Sequence, residues 1–336
     1  MHKYCARNCE LWERVYAMPA ARAKVLERAQ VYDDAIECLV SRLELEASQL
    51  LGSLSAERNA KSAFAEDHRN RTCAATSLAS GTFAPFGKAS LDFDWRSHED
   101  NHTVGVRPLW LATDALPAAN ISLLSNFASE EECAAVIASA TPRLRRATVN
   151  EEGDAAAVSL SRRAFAANVD AETADPSHPA AALWRRAFAL ANDLTGYDLE
   201  LQGQEPFSVI HYNGSARGST ELPDEYRPHC DGGCDGAAHL HGGRVATMLV
   251  YCAAATKGGA TTFTNTRTAV APNPKDAVFF SYLDKDRAEM DTGLTQHSGC
   301  PVLEGEKWVM TLWMRKGVNQ HDVWSKYDPT GAKHLA

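Results

Sequence analysis

From residue 10 to about 55, hydrophobic and polar positions repeat with a helical period. Alternating steps of four and three from Leu11 pass through Val15, Met18, Arg22, Val25, Ala29, Tyr32, Ile36, Leu39, Leu43, Glu46 and Leu50. A repeat of about 3.5 residues, broken at Arg22 and Glu46, marks a coiled-coil seam or one face of an amphipathic helix lying on its own domain. Pro19 lacks an N–H and breaks or starts the helix there. Between 59 and 115 the pattern fades into Ser-, Thr-, Ala- and Gly-rich and then polar sequence, which predicts a poorly structured linker. Periodicity then returns. Ile121–Leu124 reads as a short strand. Ser129, followed by Glu130, Glu131 and Glu132, caps a helix running through Cys133, Val136 and Ile137. A second helix is predicted from Pro179 to Leu194, ending near Gly196.

From 205 onward short strands alternate with turns: Phe207–Tyr212, Arg244–Cys252, Thr261–Phe263, Ala277–Tyr282, Gly299–Leu303 and Lys307–Arg315. Helices followed by a run of strands predict an α+β fold, or an all-β domain buttressed by helices.

Composition narrows the partners. The chain has 336 residues and a net charge of −9, from 34 basic and 43 acidic residues. It lacks the basic field of a nucleic-acid binder. No run approaches the ~18 consecutive apolar residues of a membrane span. The N-terminal stretch has scattered charges and no hydrophobic core of a signal peptide. Nine cysteines are too few for a disulfide scaffold, and their spacings match no zinc motif. Asn70, Asn101, Asn120 and Asn213 each begin an Asn-x-Ser/Thr triplet. Three of these fall in the polar segment 70–122, where a glycan is tolerated. They favour a secretory lumen such as the endoplasmic reticulum, with the cytoplasm as the alternative, and imply a lost leader.

The chemistry concentrates at Arg227-Pro228-His229-Cys230-Asp231. Residues two apart on an extended segment project to one side, so His229 and Asp231 face a common point. On its own this spacing usually means no more than a solvated histidine near an acid. His297 follows 66 residues after Asp231. Two histidines and one carboxylate are the facial triad of non-haem Fe(II), with three coordination positions left open. In the last strand, Lys307 begins a face shared with Val309, Thr311, Trp313 and Arg315, while Trp308, Met310, Leu312 and Met314 form the opposite, apolar face. An unpaired buried ammonium is costly. Lys307 therefore reads either as an exposed strand end or as the partner of an entering dicarboxylate.

Five blocks then occur in one order: His229-x-Asp231, Arg244-Val245-Ala246-Thr247-Met248-Leu249-Val250-Tyr251, Gly258-Gly259-Ala260-Thr261-Thr262-Phe263, His297-Ser298-Gly299-Cys300-Pro301-Val302 and Gly305-Glu306-Lys307-Trp308. Together they resemble the prolyl 4-hydroxylase family of Fe(II)- and 2-oxoglutarate-dependent dioxygenases, over about 116–316 and most closely from 205. The resemblance implies a double-stranded β-helix (jelly-roll) core at about 205–316, within a catalytic domain spanning 116–318. Residues 1–58 are left as a helical segment, 59–115 as the linker and 319–336 as a tail.

The resemblance further implies that His229, Asp231 and His297 bind iron. Lys307 holds the distal carboxylate of 2-oxoglutarate, with Tyr212 and Thr261 facing the same end. Read without the family, Tyr212 is a core tyrosine and Thr261 a strand threonine. Tyr226 fits the family pattern with a packing role. Cys230 and Cys234 read as incidental or as paired with each other, since thiolate is foreign to this triad. The implied reaction hydroxylates peptidyl proline, using O2 and decarboxylating 2-oxoglutarate to succinate, with ascorbate keeping iron ferrous. No protein acid or base is required. Two departures bear on substrate. The Gly-Gln that often follows the family's tyrosine is absent after Gly214, and the family's peptide-gripping Arg-x-Ser appears as Arg162-Arg163-Ala164. The competing readings are a dioxygenase of this fold acting on another target, and a non-catalytic scaffold built on the N-terminal helix. A homodimer through that helix is the expected assembly.

Overall fold

The structure, a computed structural model, describes Val40, residues 69–74 and residues 92–334, except 115, 150–156, 159–161, 172–174, 176 and 215–221. The heptad-like segment 10–55 lies outside the described residues, apart from Val40. Contacts divide the chain into residues 1–64 and residues 65–336. The strands and helices that build the site all belong to the second unit.

Its core is a large antiparallel sheet faced by a smaller one. The strands are β1 (Phe93–Arg96), β2 (Thr103–Trp110), β3 (Asn120–Ser125), β4 (Arg145–Arg146), β5 (Arg162–Arg163), β6 (Phe165–Val169) and β7 (Phe207–Asn213). They continue with β8 (Glu225–His229), β9 (Arg244–Ala253), β10 (Thr261–Phe263), β11 (Thr268–Val270), β12 (Ala277–Ser281), β13 (His297–Gly299) and β14 (Glu306–Arg315). The nine-stranded sheet runs β1-β2-β3-β12-β9-β14-β7-β6-β4, and the five-stranded sheet runs β11-β10-β13-β8-β5. Neighbours in both are antiparallel, and from β7 onward all successive strands except β10 and β11 cross between the sheets, an arrangement consistent with a jelly-roll core.

Two helices close the outer face of the large sheet. Helix α1 (Glu130–Ala140) starts on a capping box, the Ser129 hydroxyl accepting from Glu132 N and the Glu132 carboxylate from Ser129 N. Helix α2 (Pro179–Thr195) starts with proline at its first position and ends at Gly196, whose φ of 64° suits a residue without Cβ. Leu183, Phe188 and Leu190 of α2 are buried in the core, each contributing up to roughly 1.5–3 kcal/mol. Arg186 of α2 is buried too. Its guanidinium reaches both oxygens of Glu132, at 3.0 and 2.7 Å, and also Asp100.

That last contact corrects the reading of 59–115 as a poorly structured linker. Residues 93–96 and 103–110 are strands β1 and β2, so the folded domain begins well before 116. Val104 and Val106 alternate into the core, Trp95 donates its indole N–H to Asp193 at 2.8 Å, and Asp100 supplies charge to buried Arg186. The polar residues are there to meet polar groups on α2, a long-range pairing that local composition cannot reveal. The predicted strand Gly299–Leu303 is also corrected. It divides into β13 and a separate segment, Val302–Glu304, around Cys300 and Pro301, because proline has no N–H for a ladder. The strands predicted at Phe207–Tyr212, Arg244–Cys252, Thr261–Phe263, Ala277–Tyr282 and Lys307–Arg315 form within a residue of those bounds.

Candidate metal centre

The histidines meet through strand register. β8 and β13 are antiparallel partners, and His229 stands directly opposite His297. Asp231 lies two residues past the end of β8, where the chain turns back towards both rings. Single donor atoms of His229, Asp231 and His297 lie within 4.8 Å of one another. The His229 Nε2 is 3.5 Å from Asp231 Oδ1, and the His297 Nε2 is 3.6 Å from Asp231 Oδ2.

The opposite ring nitrogens settle what these rings offer. His229 Nδ1 lies 2.8 Å from Arg227 O and His297 Nδ1 lies 3.1 Å from Thr295 O. A carbonyl can only accept, so Nδ1 carries the proton and each Nε2 presents a lone pair to the common point. Burial drives the His297 imidazolium down to about 4, which keeps that ring neutral at pH 7. Burial pushes the Asp231 carboxyl up, but the imidazoles of His297 and His229 together with Arg244 outweigh it and hold the carboxyl well below its usual range. Two imidazoles and one carboxylate, with outward N–H groups fixed by carbonyls, fit a divalent first-row metal.

Strand β9 supplies the support behind the carboxylate. The Thr247 hydroxyl donates to Asp231 Oδ2 at 2.8 Å, and Arg244 Nη1 donates to Asp231 O at 3.1 Å. Arg244 is itself held by both oxygens of Glu205 at 2.6 Å, and Arg315 shares that carboxylate. In the sequence Arg244 and Thr247 stand only as part of a matched block, with no role of their own. The available signal was a threonine on the inward, odd-numbered face of an otherwise apolar strand.

A narrow pocket between the two sheets opens beside the triad. Tyr212, Thr261 and Lys307 all line it. So do Val309, Thr311 and Trp313, the face of β14 that alternation groups with Lys307, while Ile210 and Leu249 add apolar wall. Lys307 is 3% exposed, which removes the reading of an exposed strand end. Its Nζ donates to Gly259 O at 2.6 Å, and among the described residues it has no carboxylate partner. Burial alone pushes this ammonium down to about 7. An unpaired cation at the end of a largely apolar pocket fits an incoming carboxylate. Tyr251, which the sequence shows only as the end of a matched block, donates its hydroxyl to Thr261 Oγ1 at 2.8 Å and places its ring 5.2 Å from Lys307 Nζ.

Tyr226 does more than pack. Its ring stacks on His229 with centroids 3.6 Å apart, and it lines the pocket. Arg162, on edge strand β5, covers Tyr226 at 4.9 Å, and its Nε and Nη2 are buried without a hydrogen-bond partner among the described residues. Cys230 and Cys234 form a disulfide, as do Cys73 with Cys300 and Cys133 with Cys252.

Residues 216–315 match the 2OG-Fe(II) oxygenase superfamily. The mouse prolyl 4-hydroxylase subunit alpha-3 is 31% identical over 202 residues, covering 58% of this chain and 34% of its own length. The Arabidopsis thaliana prolyl 4-hydroxylase 13 is 30% identical over 214 residues, covering 57% of this chain and 69% of its own. The chain thus spans about a third of the alpha subunits it matches and over two thirds of the plant relative. Among solved structures, a viral collagen prolyl hydroxylase from Paramecium Bursaria Chlorella virus-1 aligns with a TM-score of 0.42 and 20% identity, over 58% of this chain and 96% of that one. A Pseudomonas putida prolyl-4-hydroxylase aligns with a TM-score of 0.37 and 18% identity, over 58% and 92%. With the plant relative matched over most of its length, and the triad and buried lysine assembled as the sequence blocks imply, this chain belongs to the prolyl 4-hydroxylase family of 2OG-Fe(II) oxygenases.

Proposed function

We propose that the chain hydroxylates peptidyl proline, using Fe(II), O2 and 2-oxoglutarate and releasing succinate and CO2. The observation that carries this reading is the unpaired, buried Lys307 ammonium in the same pocket as His229, Asp231 and His297. His229 Nε2, His297 Nε2 and one Asp231 oxygen would hold the iron. Lys307 would take the distal carboxylate of 2-oxoglutarate, with Tyr212 and Thr261 around it. When bound, iron and 2-oxoglutarate supply the oxidative decarboxylation and the oxygen transfer to carbon. The residues of this chain bind and orient. Ile210, Leu249 and Val309 keep that end of the pocket apolar, and no side chain has to move a proton.

A peptide suits the mouth of the pocket. Edge strand β5 carries Arg162, whose two buried donors, without a hydrogen-bond partner among the described residues, would be satisfied by the carbonyls of an extended chain. The test is succinate release with proline-rich peptides beside lysine-containing and other peptides, with the modified residue located by fragmentation. Turnover confined to peptides without proline would move the reading to another target of the same fold, and an absence of succinate throughout would leave the scaffold reading.

Ascorbate as the reductant that maintains ferrous iron belongs to the same proposal, tested by whether turnover fades without it. The three disulfides among the described residues support an oxidising, secretory lumen as the working compartment. A homodimer through the 11–50 seam is part of the proposal as well. Light scattering of the full chain against one starting near residue 60 tests it, and identical monomeric masses would remove it.

A further inference from the structure

Strand β8 ends at His229, so Asp231 stands beyond the last ladder pair, on the loop that leads to Arg244. That loop, 230–243, contains Gly232, Gly233, Gly236, Gly242 and Gly243. Glycine backbone has more freedom to lose than any other, and a carboxylate on such a loop is placed only as well as the loop is held. Thr247 and Arg244 hold Asp231 from β9. Gly232 runs so close beneath its neighbours that a Cβ there would meet Tyr282 Cε2 at 2.7 Å and Arg244 O at 2.9 Å. The covalent restraint within the loop is the Cys230–Cys234 disulfide, which encloses Asp231 in its ring.

We propose that this disulfide is a positioning element for Asp231. Intact, it keeps the carboxylate turned towards His229 and His297; reduced, it releases the loop and weakens the hold on the metal. The proposal rests on the metal reading of the triad. Both sulfurs belong to half-buried residues, whereas Cys73 and Cys300 are both buried and half-buried Cys252 is bonded to buried Cys133, so this bond is the one of the three with neither partner buried. With a dithiol donor the step balances. The Cys230–Cys234 S–S bond takes up two electrons and two protons and becomes two thiols, and the donor closes to its own disulfide.

The test uses the full chain in three forms. These are the oxidised protein, the protein reduced with limiting water-soluble phosphine (which takes its oxygen from water and leaves as the phosphine oxide), and a Cys230→Ser/Cys234→Ser variant. Alkylation and peptide mapping of an aliquot identify which cysteines have opened. After removal of the phosphine, Co(II) is titrated anaerobically and followed by its visible ligand-field band. The oxidised protein is expected to bind Co(II), and the reduced protein and the variant to bind it about tenfold or more weakly, the range seen when outer-shell partners of a ligand are lost. Reoxidation should restore the wild type and leave the variant unchanged, which a general loss of fold would not produce. Equal affinity in the oxidised and reduced proteins, with Cys230 and Cys234 mapped as free thiols, overturns the proposal. So does a variant that matches the oxidised protein. Absence of Co(II) binding in all three forms overturns the metal reading and the proposal with it.

Discussion

His229 and His297 each commit Nδ1–H to a backbone carbonyl, which leaves two lone pairs and one carboxylate to define the site. Removing one of three ligands destroys the facial set. His297→Ala is expected to lose Fe(II) retention and turnover together, read by metal analysis after desalting; undiminished succinate release would remove this assignment. Lys307 makes a prediction with a sign. A charge-assisted hydrogen bond is worth about 1.5–3 kcal/mol, so Lys307→Ala should raise the 2-oxoglutarate Kd by roughly 10- to 150-fold. Burial lowers this ammonium from its ordinary 10.5 to about 7, and only the charged form pairs with a carboxylate. Below pH 7 the cation is already present and affinity is flat. Above it, binding must take up a proton, so the Kd should rise by up to about tenfold per pH unit. Lys307→Arg stays charged throughout. It should recover part of the affinity and lose this slope, and a wild-type Kd that is level from pH 7 to about 9 would contradict the assignment.

At the scale of elements, the site is a product of register, and register explains what the sequence did and did not disclose. His229, Asp231, His297 and Lys307 were legible because spacing and block order place them without knowledge of strand pairing. Thr247 and Tyr251 were not. A threonine or tyrosine inside a strand acquires a role only when the strand opposite is known. Strand β8 escaped detection because Glu225, Arg227 and Pro228 interrupt any apolar alternation. It forms through its pairing with β13 and β5, and through Glu225, which accepts from Arg163 and Arg69. Strands β1 and β2 escaped for the related reason that the Trp95 indole of β1 and Asp100 in the turn between them answer to α2. The Cys133–Cys252 disulfide shows the same dependence, joining α1 to the end of β9 across 119 residues of sequence. Closing so long a loop restricts the unfolded chain strongly. The Cys133→Ala/Cys252→Ala variant is expected to lose roughly 2–5 kcal/mol of stability in denaturant unfolding, and an unchanged midpoint would count against this bond as a tie between helix and sheet.

For the whole molecule, the proposed secretory compartment makes a prediction of its own. Of the Asn-x-Ser/Thr triplets in 70–122, the structure separates two cases. Asn101 is exposed in the turn between β1 and β2. Asn120, expected from sequence to tolerate a glycan, lies in β3 instead, its Oδ1 accepting from Ala112 N at 3.0 Å and its Nδ2 donating to Ser281 at 3.4 Å. Native material should therefore carry a glycan at Asn101 and none at Asn120, read by mass spectrometry; a bare Asn101 would favour the cytoplasm. No described helix is long and apolar enough to cross a membrane. The central claim, oxygen transfer to proline coupled to 2-oxoglutarate through this pocket, has one direct measurement. The chain is incubated with Fe(II), 2-oxoglutarate and a proline-rich peptide under isotopically heavy dioxygen. The account predicts one heavy atom in the succinate and one in a hydroxyl group on proline, formed in equal amounts. Succinate formed while the prolines remain unmodified, or hydroxyproline formed without 2-oxoglutarate, would contradict it.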